Sequence, residues 1–184
     1  MKTMVRFLFL AGALLVSACA STSGPVNDTV SNWNLQDVNV RFGPDVSRTA
    51  DGDTFSDNFV WNGLGEGNRK KQVIALFDGA MRQVGDSTMT GSRAVNMSVQ
   101  VNYFHALTYF SRFWCCGEHN IRADLTVTDA GSGDVLMSTE NVYLGRLALG
   151  GVPGLVAEAA GRDQYVRVKE GIVKRTREWL AGER

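Results

Sequence analysis

An excess of charge of one sign is absent from this sequence. Its 184 residues carry 19 Lys and Arg side chains and 19 Asp and Glu side chains. Proteins that bind DNA or RNA carry a clear basic excess, so no nucleic acid partner is expected. Proline is also scarce, with 3 residues, while 44% of the residues are hydrophobic. This composition excludes a disordered or collagen-like chain and predicts one globular domain.

Long hydrophobic runs are absent as well, apart from residues 7–16. This run is too short to cross the hydrocarbon core of a bilayer, which takes a helix of about 20 residues. Lys2 and Arg6 precede the run, and two small residues follow it. The order of cations, apolar run and small residues predicts a secretory signal peptide over residues 1–18.

Cysteine is rare, and Cys19 stands directly after the predicted signal peptide. The run Val-Ser-Ala-Cys that ends there looks like a bacterial lipobox, in which Cys19 becomes the acylated N-terminus of the mature protein. An ordinary signal peptide followed by an incidental cysteine is the alternative. Ala20 is not the Asp that retains lipoproteins at the inner membrane, so we expect a palmitate-bearing protein anchored in the outer membrane and facing the periplasm. Residues 19–34 are mostly polar and predict a flexible tether ahead of a single domain over 35–184.

Apolar residues in that domain repeat with two different periods. Alternation predicts half-buried strands, and a three-to-four-residue repeat predicts amphipathic helices. We expect Asp163 to be the N-cap of the last helix and Gly85 to end the first. The order β-α-β-β-β-α predicts an α+β two-layer sandwich, in which two helices cover one face of a mostly antiparallel four-stranded sheet. The predicted elements are a strand over 38–42, a helix over about 68–84, strands over 95–103, 121–127 and 135–144, and a helix over about 163–180.

Aromatic residues are concentrated between Tyr103 and Asn120, where six of the chain's aromatic side chains fall. We interpret this stretch as a loop that contacts a protein partner of the envelope. The candidate partner residues are Tyr109, Phe110, Phe113 and Trp114.

Both histidines of the chain, His105 and His119, flank that loop. Each shares the parity of the buried positions in its strand, which predicts that they lie on the same face of the sheet. With Arg112 they form a candidate ligand site. Together with Cys115 and Cys116 they could supply zinc or copper ligands. However, adjacent cysteines lack the spacing of zinc sites, so we expect no metal and no cofactor; histidines held by backbone hydrogen bonds are the alternative.

Several motifs across residues 35–180 resemble a family of small alphaproteobacterial lipoproteins that is known only as a domain of unknown function. His105, His119, Thr108 and Arg112 match the family pattern, whereas Cys116 stands where that pattern tends to have glycine. The resemblance implies no activity. The matching motifs are Trp61, Gly-Asn-Arg-x-x-Gln-Val at 67–73, Phe-His-Ala-Leu-Thr at 104–108, Arg112, Gly117, His119, Ile121, Asp-Ala-x-x-Gly at 129–133 and the glycine-rich stretch after Leu147.

The stretch from Gly145 to Gly161 combines five glycines and Pro153 with mostly Leu, Val and Ala. Three interpretations are open for it, of which packing over the core is favoured. It could fold back over the core, form a short helix with Pro153 in its first turn, or contact lipid or a partner.

A nucleophile with its base, a carboxylate pair and a cofactor fingerprint are all absent from the sequence, so we expect no enzyme. The sequence favours a membrane-anchored envelope lipoprotein that acts as a non-catalytic interaction or assembly module. The alternative is a periplasmic domain that binds a small ligand or a metal at His105 and His119.

Overall fold

The computed structural model describes residues 30–46, 58–61, 67–107 and 116–183. They form six strands and three helices. The strands are β1 (Trp33–Phe42), β2 (Phe59–Val60), β3 (Arg93–His105), β4 (Cys116–Asp129), β5 (Val135–Tyr143) and β6 (Arg146–Leu149). The helices are α1 (Arg69–Thr88), α2 (Gly151–Ala159) and α3 (Gln164–Leu180).

The six strands form a mixed open sheet with the central order β1-β3-β4-β5. Strands β1 and β2 run parallel to β3, whereas β4 is antiparallel to β3, β5 and β6. The predicted α+β class is confirmed, but the mostly antiparallel four-stranded sheet is wrong. The reason is α1, which carries the chain back along the sheet so that β3 starts at the same end as β1.

Helix α1 begins at its N-cap Asn68, whose side-chain oxygen accepts the Lys71 N–H at 3.0 Å. It continues past Gly85, where the sequence predicted its end. A Cβ at Gly85 would lie 2.5 Å from Cδ2 of Leu35 in β1. The glycine therefore allows close packing of the helix on the sheet. The predicted apolar stripe is confirmed as the buried face of α1: Val73, Leu76, Phe77, Ala80, Met81 and Val84.

Helix α3 begins after Asp163, whose carboxylate accepts the Val166 N–H at 2.9 Å, as predicted for its N-cap. It lies beside α1, and Thr176 Oγ1 is 3.9 Å from Met81 Sδ. Both helices contribute to one core with the inner face of the sheet. The outer face is polar, as predicted, and Asp124 there accepts hydrogen bonds from Asn102 Nδ2 at 2.7 Å and Gln100 Nε2 at 3.1 Å.

The fold begins earlier than the predicted boundary at residue 35. Trp33 is fully buried and Val30 is 5% exposed. Trp33 also pairs with Arg93 as the first residue of β1. The last residues of the predicted tether therefore belong to the folded domain. Val30 and Trp33 are isolated apolar residues in a polar stretch, but their burial is enough to fix this part of the chain against the core.

Candidate functional site

The two histidines of the candidate ligand site lie on opposite faces of the sheet. A β-bulge interrupts the β3–β4 ladder, in which Val101 pairs with Ala123 and Tyr103 with Arg122. The additional residue on β3 reverses the alternation of its side chains beyond that point. Phe104 and Ala106 are therefore buried. The predicted shared face is wrong, because it requires an unbroken alternation of side chains along β3, which the bulge interrupts.

His105 lies on the outer side of the sheet together with Tyr103. The Tyr103 hydroxyl is 3.3 Å from His105 Nδ1, and the two ring centroids are 6.1 Å apart. This contact joins two half-buried side chains of the same strand. His105 pairs with Asn120, the neighbour of His119, so the two histidines lie close together but on opposite faces of the sheet.

His119 is fully buried near the start of β4. Its Nδ1 accepts the Leu107 N–H at 3.3 Å, and Gln164 Nε2 donates to the Leu107 carbonyl at 3.2 Å. The two side chains together satisfy both backbone groups of Leu107, just beyond the end of β3. His119 thus holds a backbone segment in place, which was the alternative role considered for it.

The environment of His119 keeps its imidazole neutral. Burial lowers its pKa from the usual 6.5 to about 3, and the positive charges of Arg167 and Arg146 and then His105 act in the same direction. A neutral ring is the form that can accept the Leu107 hydrogen bond at Nδ1.

The other predicted site residues lie outside the described residues. They are Cys19, the partner residues Tyr109, Phe110, Phe113 and Trp114, and Arg112. Their roles stay predictions. Within residues 30–46, 58–61, 67–107 and 116–183, no group of three or more His, Cys, Asp or Glu residues could hold a metal ion.

The glycine-rich stretch after Tyr143 forms strand β6 and helix α2. Strand β6 pairs with the first four residues of β4, from Cys116 opposite Leu149 to His119 opposite Arg146. A Cβ at Gly145 would lie 1.9 Å from the His119 carbonyl oxygen, so only glycine allows the chain to pass so close to β4 there. Of the β6 side chains, Ala148 is buried, whereas Leu147 is 80% and Leu149 44% exposed.

Helix α2 directs its apolar side chains outward. Gly154 is its one buried residue, whereas Val152, Leu155 and Val156 are 73%, 59% and 64% exposed. Of the three interpretations, the short helix with Pro153 in its first turn is confirmed, folding back of these apolar side chains over the core is wrong, and contact with lipid or a partner stays a prediction. We call Leu147, Leu149, Val152, Leu155 and Val156 the β6–α2 surface.

Polar contacts attach α2 to the rest of the domain. Arg167 of α3 is only 4% exposed, and its Nη1 donates to the carbonyl oxygens of Gly154 at 3.5 Å and Arg162 at 3.1 Å. Its Nη2 lies 3.8 Å from a carboxylate oxygen of Glu158. Glu158, the charged side chain of α2, is directed toward Arg167 and is only 21% exposed, whereas the aliphatic side chains of α2 face solvent. This is the reverse of the usual orientation of a surface helix.

Two arginines share one carboxylate of α3, and Arg146 extends from β6 toward that helix, where its Nη1 also donates to the Arg167 carbonyl at 3.3 Å. Arg146 Nη1 is 3.3 Å and Arg162 Nη2 is 2.6 Å from the same oxygen of Glu170. All three side chains are 39–55% exposed.

Sequence reasoning identified this segment as too apolar for a loop but not the direction in which it faces. The apolar residues at 152, 155 and 156 have helical spacing, which was the available signal for α2. Spacing alone does not tell which side of a helix meets the core. Here Gly154, with no side chain, occupies the side that packs.

A groove between the C-terminal parts of α1 and α3 has a volume of about 530 Å³. Its lining mixes acidic and basic residues, among them Glu178, Lys174 and Arg177. Lys174 pairs with Glu178 at 3.6 Å, and Arg177 donates to Ser87 at 2.8 Å. These groups satisfy one another, so the groove offers little to a charged ligand.

No helix of the described residues is long and apolar enough to span a membrane.

Comparisons with known proteins place this architecture in a family. No curated protein matches the chain. A crystal structure from Caulobacter crescentus, described as a candidate lipoprotein, is similar with 14% identity and a TM-score of 0.43, over 85% of this chain and 92% of that one. A crystal structure from Xanthomonas campestris, assigned to DUF330, is similar with 11% identity and a TM-score of 0.48, over 88% and 90%. The model of family DUF6778 matches residues 33–184, so the chain belongs to this family of unknown function.

Proposed function

We propose that this chain is a lipid-anchored protein of the cell envelope that acts as a non-catalytic interaction or assembly module. The observation that carries the proposal is the β6–α2 surface. Five aliphatic side chains on adjacent elements are 44–80% exposed. Large apolar side chains that are exposed close together in a fold often mark binding sites.

The attachment of α2 supports the same interpretation. A helix held only for stability buries its apolar stripe, because that burial is the main source of its free energy of docking. Helix α2 instead buries Gly154 and is held through Arg167. The arrangement leaves Val152, Leu155 and Val156 available to a partner.

The membrane anchor in this proposal is Cys19, with palmitate as one of its acyl chains and the periplasmic face of the outer membrane as its location. The support is the signal peptide with its lipobox-like end. Residues 19–29 connect this cysteine to the first described residue, Val30. A flexible chain of eleven residues has a root-mean-square length of about 18 Å, so a domain attached through a tether of this kind would stay near the membrane.

Replacing the acylated cysteine tests the anchor. We expect Cys19→Ser to move the protein from the membrane fraction into the soluble periplasm, because the acyl chains supply the membrane affinity. Immunoblots of fractionated cells, with density-gradient separation of the two membranes, measure this. A variant that stays on membranes after a high-salt wash contradicts lipid anchoring at Cys19.

A pair of surface substitutions tests the interaction module. In mild detergent, the wild-type protein should migrate in native gels as part of a complex larger than the monomer. The double variant Leu147→Asp, Leu155→Asp should migrate as the monomer, because carboxylates prevent burial of this surface. Val135→Asp is the matched control, since Val135 is 56% exposed on β5 and lies outside the surface. A monomeric wild type, or a complex that survives the double substitution, contradicts the proposal.

The alternative function, binding of a small ligand or metal at His105 and His119, has less support. It needs both imidazoles on one side of the sheet, whereas the bulge in β3 directs them to opposite faces. His119 also uses Nδ1 to hold Leu107.

A further inference from the structure

We infer that α2 is a hinged segment, held on the domain by the buried guanidinium of Arg167, and that it opens while the rest of the fold stays intact. The inference goes beyond the proposed function, because the opening needs no partner. Three features support it: the small apolar area that α2 buries, the polar contacts that hold it, and the glycines at its two ends.

The apolar burial of α2 is small. A docked helix is normally held by its apolar stripe, and each fully buried aliphatic side chain contributes roughly 1.5–3 kcal/mol. The buried residue of α2 is Gly154, which has no side chain to contribute, whereas Val152, Leu155 and Val156 are more than half exposed. The free energy that holds α2 on the domain therefore has little hydrophobic contribution.

Arg167 holds the segment at more than one point. Its Nη1 donates to the carbonyl oxygen of Gly154, in the first half of α2, and to that of Arg162, just after α2. Its Nη2 lies 3.8 Å from a carboxylate oxygen of Glu158. Arg167 itself belongs to α3, whose apolar face is part of the core. The guanidinium thus connects α2 to a firmly packed element.

The net stabilisation from these polar contacts is modest. Arg167 is 4% exposed, so the closed state has removed a guanidinium from water, and this cost offsets much of its attraction to Glu158. Opening of α2 would return the two charged groups to water. Because neither apolar burial nor the ion pair gives a large net gain, α2 should open at a free-energy cost well below that of unfolding the whole domain.

Glycines supply the hinges. Gly151, the first residue of α2, has a φ of 57°, and Gly161, two residues after its end, has a φ of 74°. Glycine leaves this left-handed region for other conformations at little cost, and hinges are a few residues at the ends of an element that absorb such changes. A helix of nine residues is not stable alone in water, so the opened segment also loses its helical hydrogen bonds.

Opening would divide the β6–α2 surface. Leu147 and Leu149 lie on β6, which is paired with β4, whereas the three aliphatic residues of α2 move with the helix. The five side chains stand together only in the closed state. The closed state is therefore the one that binds a partner, a consequence that rests on the proposed function.

Hydrogen exchange of the full-length protein in detergent, followed by mass spectrometry, tests the inference. Peptides from α2 should exchange about 100-fold faster or more than peptides from the middle of α3, because local opening is more frequent than global unfolding. Urea below the unfolding transition should accelerate exchange in α3 but hardly in α2, because a local opening exposes little surface. Equal rates with equal urea dependence would show that α2 opens only together with the whole domain.

Replacing the guanidinium tests the role of Arg167. Arg167→Met should accelerate exchange in α2 about tenfold or more, because the Gly154 carbonyl and Glu158 lose this partner. Arg162→Met is the matched control, since the Arg162 side chain is 55% exposed and pairs with Glu170 of α3. It should leave exchange in α2 unchanged. No acceleration in Arg167→Met, or equal acceleration in the two variants, contradicts the role of Arg167.

A second pair of variants keeps Arg167 in place, in case its loss prevents folding. A Cβ at Gly154 would lie 2.9 Å from the Leu149 carbonyl oxygen, so Gly154→Val should push α2 away and accelerate its exchange. Ala159→Val is the control at an exposed position of the same helix. Equal exchange in these two variants contradicts close docking of α2 at Gly154. The native-gel assay is independent of these measurements, so a monomeric wild type would reject the interaction module without changing the exchange result.

Discussion

Helices α2 and α3 follow one another along the chain, yet α3 buries an apolar face and α2 leaves its apolar side chains exposed. Helix α3 has 17 residues, of which nine are buried, and its apolar face packs with α1 against the sheet. Helix α2 has nine residues, of which Gly154 is buried, and its aliphatic residues face solvent. Both sequences show helical spacing. The difference teaches that spacing determines the helix, whereas the elements beneath it determine which face is buried.

The largest predicted effect concerns the core side of this comparison. Phe104 is fully buried, with its ring centroid 6.0 Å from that of Phe59, 5.6 Å from that of Trp61 and 6.1 Å from that of Phe77. We expect Phe104→Ala to lower the free energy of unfolding by about 3–5 kcal/mol, because the removed ring leaves a cavity among aromatic neighbours. Urea denaturation measures this. A loss below about 1 kcal/mol would show that this part of the core is loosely packed.

The second effect concerns His119, where the core meets β6. Its pKa is lowered to about 3 in the folded protein, so between pH 6.5 and about 3 the unfolded chain binds a proton that the folded one does not. The free energy of unfolding should therefore fall as the pH falls through this window, by up to about 1.4 kcal/mol per pH unit.

The variant His119→Gln isolates this contribution, since Gln can still accept the Leu107 N–H. We expect its stability to decline less steeply than that of the wild type between pH 7 and pH 4.5, as measured by urea denaturation at each pH. Parallel declines in the two proteins would show that another group causes the acid sensitivity.

The smallest effect concerns the exposed side of the comparison. Leu155→Ser should change the free energy of unfolding by no more than about 0.5 kcal/mol, because the 59% exposed side chain gains little by folding. Leu144→Ser is the matched control at a fully buried leucine and should lower it by several-fold more. Thermal unfolding of both variants decides between these expectations. Equal losses would mean that α2 packs on the core in solution.

Local signals in the sequence predicted most of the individual elements. The N-cap Asp163, the apolar stripe on α1, the last helix and the strands β3, β4 and β5 follow from residues close together in the chain. The parallel pairing of β1 with β3 did not follow, because it depends on how α1 crosses the sheet.

The candidate site was harder to predict than the fold. The bulge after Val101 reverses the face of His105, and no glycine or proline marks it in the sequence. The sequence showed that the stretch around α2 is rich in apolar residues, but it did not show that their side chains face solvent. That orientation depends on the contact between Arg167 and the Gly154 carbonyl. Both features depend on contacts between residues far apart in the chain, which the spacing of apolar residues does not reveal.

The placement of the two ends of the sheet also has a mechanical consequence. A pull between Trp33 and the β6–α2 surface would act along β1, β3 and β4. The hydrogen bonds of these ladders lie across the strands, so such a load shears many of them together and does not open them one at a time. A domain loaded in this direction resists rupture through its slow rate of unfolding. The sheet would thus transmit tension between its two ends while staying folded.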